Sequence, residues 1–393
     1  MQKNQDVLGG YRMEFFTSPR IFRHPEPARY AGPIYPVFLP FSGCRQRCVF
    51  CAQHVQTGRP ALDDTDNTNS PNSPGSLDST GNADNTNSAA RVRAVLREAH
   101  DALLQRRDRG APPPEAAFYG GTFTAQPEPV LASCLEAASS WLREGLVSGL
   151  RCSTRPDAVD SSVLARLCGA GFSRVELGVQ SFSDRALDRA RRGYGRAAAL
   201  EACALVQRAG LALGVQLMPG MPGHDRDEAL ADASLAASLR PDLVRLYPCL
   251  VLEGTALAGW WRRKDFTPWT LEETADFLAR ACLVFWRAGV PVARMGLAEE
   301  PGLAGNVLAG PRHPALGNMA RARALHRLVA EEAAALDASA GSGPRGILVP
   351  RRYQGEFFGV GGELRPAYGA LGIHPENVRF VDGDTFALGA VAQ

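Results

Sequence analysis

The sequence predicts an α/β chain built as a partial (β/α)6 barrel with a small C-terminal α/β appendage. Short β-rich runs recur at "IYPVFLP" (34–40), "AAFY" (116–119), "LRCS" (150–153), "RVELGV" (174–179), "LALGVQLM" (211–218) and "LVRLYP" (243–248), and helical patterns such as "PVLASCLEAASSWLREG" separate them. Strand, helix and strand at that spacing read as right-handed parallel crossovers. The unusual residues also fall where these runs end, which is where such an architecture gathers its chemistry. Both observations put the barrel at 34–320, after an N-terminal extension 1–33 and before a C-terminal segment 321–393.

Composition agrees with a globular chain: 393 residues, 45% hydrophobic and 21% charged, enough for a sizeable core. The opening "MQKNQDVLGGYRMEFF" has no apolar signal-like run, and no stretch reaches the roughly 18 apolar residues of a membrane span. A cytoplasmic protein without a membrane segment is expected. The net charge of +2 creates no global field for phosphate, although residues 1–60 hold eight Lys or Arg against three Asp or Glu.

Directly after the first strand comes "FSGCRQRCVFC" (41–51), with Cys44, Cys48 and Cys51 spaced C-x3-C-x2-C. A structural zinc normally takes four ligands, and here the fourth would be His54 or something distant. Three thiolates also hold an iron–sulfur cube that leaves one iron without a protein ligand. The other six cysteines lie singly in apolar or periodic segments and read as buried thiols. Residues 61–90 read as a disordered insertion, because "DDTDNTNSPNSPGSLDSTGNADNTNS" (63–88) has five Asp, no basic residue and one large apolar side chain, Leu77. The first clear helix follows at "VRAVLREAHDALLQRR".

The second strand ends in "YGGTF", where two glycines let backbone approach a ligand. The third ends in "STRPD", the fourth in "GVQSF" followed by "RRGYGR", and the fifth in "VQLMPGMPG"; "VPVARMGL" offers a seventh strand. "WWRRK" (260–264) sets two indoles beside three cations, a pattern suited to stacking and phosphate contact. At the C-terminus "GILVPRR" reads as a strand, Tyr353 to Leu371 as helical, and "ENVRFVDGDTFALG" as a hairpin turning at Asp382 and Gly383. Within the helical stretch, "GVGG" reads as a tight turn or a backbone phosphate contact.

The cysteine loop, with Phe50 directly before Cys51, resembles that of the radical S-adenosylmethionine (radical-SAM) enzymes. The resemblance implies that Cys44, Cys48 and Cys51 hold a [4Fe-4S] cluster, that the free iron binds S-adenosyl-L-methionine, and that Phe50 packs near the adenine. It implies cofactor contacts from Gly120, Gly121, Thr122, Ser153, Gln180, Arg192 and Gln216. A flavodoxin- or ferredoxin-type donor would supply one electron, and cleavage would give a 5'-deoxyadenosyl radical. The residue that acts on the substrate is not indicated.

Within that superfamily the chain resembles a bacterial group of stand-alone proteins related to the radical-SAM domain of the Elongator catalytic subunit. "PVFLPFSGC", "FYGGTF", "CSTRPD", "VELGVQSF", "VRLYPCLVLEGTAL", "VARMGL" and "GPRHPALG" carry the likeness across roughly 34–320. It implies tRNA or another RNA as substrate. The Elongator subunit has a longer gap between its first two cysteines and an acetyltransferase domain after the radical domain, so acetyl-CoA chemistry is not expected here. The oxygen-independent coproporphyrinogen oxidases and a non-catalytic haem-binding chaperone are the alternatives on the same fold. The oxidases share the GGT and G-x-Q-S-F stretches, but have a further Cys where this chain has Gln53 and a Tyr-x-His where it has Pro36 and Phe38.

Overall fold

A computed structural model of the chain describes residues 16–28, 32–44, 47–52, 83–297, 303, 305–340 and 344–391. In chain order its strands are β1 (Phe16–Arg23), β2 (Ile34–Phe38), β3 (Glu115–Tyr119), β4 (Gly149–Thr154), β5 (Arg174–Gln180), β6 (Ala212–Leu217), β7 (Leu243–Leu246), β8 (Val251–Leu252), β9 (Val292–Met295), β10 (Val307–Ala309), β11 (Arg345–Pro350), β12 (Ile373–Val381) and β13 (Thr385–Val391). The chain divides into two compact units: Arg29–Trp269 with Val292–Pro311, and Met1–Ala28 with Thr270–Pro291 and Arg312–Gln393. The division expected at residues 33 and 320 differs from this one.

The first unit is the barrel. Seven strands, β2-β3-β4-β5-β6-β7-β9, form one parallel sheet in sequence order and curl into a half-barrel. β9 is the seventh strand that "VPVARMGL" offered. Strands in such a sheet are covered on both faces, hence their nearly continuous apolar character. β5 shows the alternation: Val175, Leu177 and Val179 are wholly buried on one side, while Glu176 and Gly178 take the other. The helix Arg226–Ser238 opens on a reciprocal capping box between Asp225 and Glu228, which satisfies two otherwise orphaned N–H groups.

The helix expected from Val92 begins at Ala83 and runs to Asp108, so the last eight residues of the proposed 61–90 loop are helical. Once a helix is held by its downstream turns, each added residue gains a hydrogen bond without a new nucleation cost. Residues 61–82 of that loop lie outside the described residues.

The second unit corrects the C-terminal expectation. Its sheet has the order β1-β13-β11-β12. β12 and β13 therefore do not pair as a hairpin across Asp382 and Gly383; β11 lies between them, parallel to β12 and antiparallel to β13. The reason is β11 itself, buried at all six positions and needing a partner on each edge. The expected helical stretch 353–371 is broken into Gln354–Phe357 and Arg365–Ala370, with Gly359, Gly361 and Gly362 at positive φ between them. "GVGG" thus makes turns that other residues would strain to adopt. β1, which falls within the expected N-terminal extension 1–33, completes the sheet against β13.

Arg321, on the helix Leu316–Ala340, ties this unit together. Its two Nη atoms each reach a Glu26 oxygen at 2.6 Å, its Nε reaches Glu356 at 2.7 Å, and its guanidinium lies 5.3 Å from the centre of the Trp286 ring. All three charged groups are largely buried. Among the described residues no helix is long and apolar enough to cross a membrane. Arg321→Met should cost about 3–5 kcal/mol, because it strands two buried carboxylates; Arg287→Ala, which breaks an exposed pair with Glu331, should cost about 0–1 kcal/mol. Chemical denaturation of the two variants side by side checks the contrast.

Candidate functional site

The strand ends of the barrel surround one cavity of about 510 Å³. Cys44, Cys48, Phe50 and Cys51 line it from the loop after β2. Gly120 and Gly121 line it from the turn after β3, Ser153 from β4, Gln180 from the end of β5, and Arg192 and Gln216 from the segments that follow. Every residue the sequence singled out for the site is therefore present except Thr122. That side chain is wholly buried behind the cavity wall, with its Oγ1 3.1 Å from Cys44 Sγ.

The cysteine loop and the Gly-Gly-Thr turn are interlocked. The Thr122 N–H donates to the Ser42 carbonyl at 3.0 Å, and Gln126 Nε2 donates to the same oxygen at 3.3 Å. Gly121 has φ +60, and a Cβ placed there would lie 1.8 Å from the Ser42 carbonyl oxygen; at Gly120, φ +123, it would lie 2.3 Å from that of Leu39. No side chain fits at such separations, so the two glycines let the turn and the loop pack together as well as lining the cavity.

Positive charge converges on Cys48. Arg192 Nη1 lies 3.1 Å and Arg155 Nη1 3.6 Å from its sulfur. Arg192 is buried and held by the Gly178 carbonyl at 2.5 Å and by the Tyr194 hydroxyl; Arg155 is clamped by both oxygens of Asp157 at 2.8 Å. Two fixed guanidiniums complement the negative charge that a metal-ligating sulfur carries. Burial raises the Cys44 thiol, with the Thr122 hydroxyl and Arg155 acting against it. Elsewhere burial pushes Cys134, Cys203, Cys249 and Cys282 up to about 12, as expected of inert core thiols.

No three Cys, His, Asp or Glu side chains among the described residues converge tightly enough to hold a single metal ion. In an iron–sulfur cluster each cysteine binds a different iron, so its thiolates need not converge on one point. Three cysteines spread around one cavity, with cations at a sulfur, fit the cluster. The cavity also fits a polar ligand: Gln180 Oε1 is buried without a hydrogen-bond partner, on a residue whose φ of 68 is uncommon outside glycine.

Several functional groups escaped the sequence reading. Glu176, wholly buried on β5, has its oxygens 2.6 Å from Arg245 Nε and 3.3 Å from Arg151 Nε. Gln216 Nε2 reaches Glu176 at 3.3 Å and Ser153 Oγ at 3.1 Å, which joins two expected residues into one network. The signal available was a Glu in the middle of the apolar run "RVELGV", since a buried carboxylate demands partners. In the "WWRRK" segment Arg262 is ion-paired with Glu253 at 2.6 Å and Arg263 with Asp265 at 2.9 Å, and Trp260 and Trp261 pack against the core around Val49 and Leu257.

Family models now bear on this arrangement. The model described as the radical SAM superfamily matches residues 38–236, and that of the radical SAM C-terminal domain matches 241–326. The chain belongs to the radical SAM superfamily. Membership implies S-adenosylmethionine and an iron–sulfur cluster as cofactors. Among curated proteins it is similar to the tRNA uridine(34) acetyltransferases of Methanocaldococcus jannaschii, 34% identical over 33% of this chain and 24% of that protein, and of Methanocaldococcus infernus, 31% identical over 42% and 35%. It thus spans about a quarter to a third of the length of these relatives. Among solved structures it is similar to the Methanocaldococcus infernus Elp3 protein with its N-terminus deleted, at 27% identity, a TM-score of 0.50, and coverage of 58% and 57% of the two chains. For this radical SAM chain the interlock makes a specific prediction. Gly121→Ala should displace the cysteine loop and lose most of the iron retained after anaerobic reconstitution, beyond any effect on S-adenosylmethionine. Iron per chain and cluster absorbance measure it, and full iron retention would show that the loop tolerates the clash.

Proposed function

We propose that the chain is a radical SAM enzyme acting on RNA, with tRNA as its substrate. The observation that carries this reading is the single cavity that collects the three loop cysteines with polar residues from the following strand ends. In this reading Cys44, Cys48 and Cys51 ligate a [4Fe-4S] cluster. Phe50, Gly120, Gly121, Ser153, Gln180, Arg192 and Gln216 surround S-adenosylmethionine, and Thr122 supports Cys44 from behind. When bound, the cluster supplies one electron, delivered by a flavodoxin- or ferredoxin-type donor, that splits S-adenosylmethionine into methionine and a 5'-deoxyadenosyl radical.

The chain's own residues prepare that chemistry. Arg192 and Arg155 hold positive charge at Cys48, Gln180 offers its unpartnered Oε1 to a donor, and the Ser153–Gln216–Glu176 network fixes the polar wall. Phe38, Met218 and Leu252 line the cavity with apolar surface, which keeps water from a reactive intermediate.

RNA is supported by the relatives named for tRNA uridine modification and by exposed cations at the loop. Arg47, between the first two cysteines, and Arg191, beside Arg192, are both exposed; their segments meet where the Val49 N–H donates to the Ala190 carbonyl at 3.2 Å. An RNA substrate of this kind implies a cytoplasmic enzyme.

Cys44→Ala, Cys48→Ala and Cys51→Ala should each lose the cluster absorbance and 5'-deoxyadenosine formation, while Cys249→Ala, in the core, should retain both. Arg47→Gln combined with Arg191→Gln should weaken tRNA binding and flatten its dependence on salt by about two phosphate contacts. Nucleosides from tRNA of cells with and without the gene test the substrate directly, and an unchanged profile together with absent tRNA binding would remove RNA from the assignment.

A further inference from the structure

The cavity carries more positive charge than the cysteine loop uses. Among the described residues four arginines line it, Arg155, Arg192, Arg245 and Arg294, and no Asp or Glu does. The first two are directed at Cys48. The other two stand side by side on β7 and β9, in register as parallel neighbours, which puts both side chains on the same face of the sheet.

Arg245 is buried and rests on Glu176, a carboxylate it shares with Arg151. Its outer nitrogens reach two phenols that also line the cavity, Tyr247 at 3.2 Å and Tyr119 at 3.3 Å. Arg294 is exposed and makes no ion pair or side-chain hydrogen bond with the described residues. Two adjacent guanidiniums repel each other in a low-dielectric wall unless an anion lies between them. Both phenols keep hydroxyl groups at the same spot, and burial raises the Tyr119 hydroxyl above its ordinary value, so it stays a donor.

We propose that Arg245 and Arg294, with the hydroxyls of Tyr119 and Tyr247, form an anion subsite that holds the carboxylate of a small organic acid serving as co-substrate. This rests on the reading of the cavity as the reaction chamber and deepens it by naming a second reactant class. Arg245 turns its own fork to Glu176 through Nε and Nη2, so the fork that a planar carboxylate would meet with two parallel hydrogen bonds is that of Arg294. The neighbouring wall is aliphatic, with Leu250, Leu252, Leu297 and Leu303 packed as one cluster, and suits the short carbon chain of such an acid. A cavity of about 510 Å³, shared with S-adenosylmethionine, leaves space for a compact molecule.

The test is an equilibrium titration of the anaerobically reconstituted protein, with S-adenosylmethionine present, against sodium butyrate, inorganic phosphate and uridine 5'-monophosphate. Butyrate should bind saturably. Arg294→Gln, at an exposed position, should weaken butyrate by about tenfold or more, as expected when a charged hydrogen-bonding partner is removed. Arg294→Lys, which keeps the charge but not the fork, should fall between. Butyrate binding unchanged in Arg294→Gln, or no butyrate binding at all, would overturn the subsite. Saturation by phosphate or the nucleotide in place of butyrate would overturn the carboxylate assignment. Iron content and S-adenosylmethionine binding, measured on the same wild-type sample, report separately on the proposed function: their loss would sink that reading whatever the anion titration showed.

Discussion

The close approach of the Ser42 carbonyl to the backbone of Gly121 sets the site. A side chain at position 121 would lie within 1.8 Å of that oxygen, so two loops from neighbouring strands meet with backbone against backbone. The same oxygen accepts from the Thr122 N–H and from Gln126, and the Thr122 hydroxyl meets the Cys44 sulfur. The direction of the first cysteine thus depends on a turn about 80 residues away in sequence. Glycine here is a packing requirement of the scaffold before it is a ligand contact, and the two roles reinforce each other because both need bare backbone.

Beneath the loops, the barrel interior holds charge rather than hydrocarbon. Glu176 and Glu115 are shared among Arg151, Arg174 and Arg245, so each buried ion has several partners in place of its lost hydration. Such a lattice fixes the strand-end side chains above it: Gln216 and Ser153 are oriented by their link to Glu176. Towards the cysteines, the pair Arg155 and Arg192 is anchored by Asp157, Tyr194 and the Gly178 carbonyl. Rigid polar groups in a closed space are worth more than the same groups in water, because no reorganisation is needed when charge moves.

Much of the barrel was legible because parallel strands read locally. "RVELGV" and "LVRLYP" announce themselves as buried strands, and seven such runs in order leave little choice of topology. The cysteine spacing was likewise local. What stayed hidden depended on partners far apart in the chain. Arg155 lay inside "STRPD" without a sign that it would turn toward Cys48, and Thr122 was grouped with the glycines although its side chain is buried against the Cys44 sulfur. The C-terminal hairpin pattern was correct in its turn and wrong in its pairing, since only the buried β11 reveals that a third strand must come between. β1 had no signal of its own; the register with β13 defines it as a strand.

That last pairing has a consequence for how the protein is made. β1 and β13 pair although roughly 360 residues separate them in the chain, so the earlier strand waits for its neighbour while that whole stretch is synthesised. The barrel strands β2 to β7, by contrast, follow one another and find partners as they emerge. A strand left open that long is an invitation to mispair with other chains. Aggregation is therefore the greater hazard in the interval when the barrel strands have found their partners and the second sheet still lacks β13.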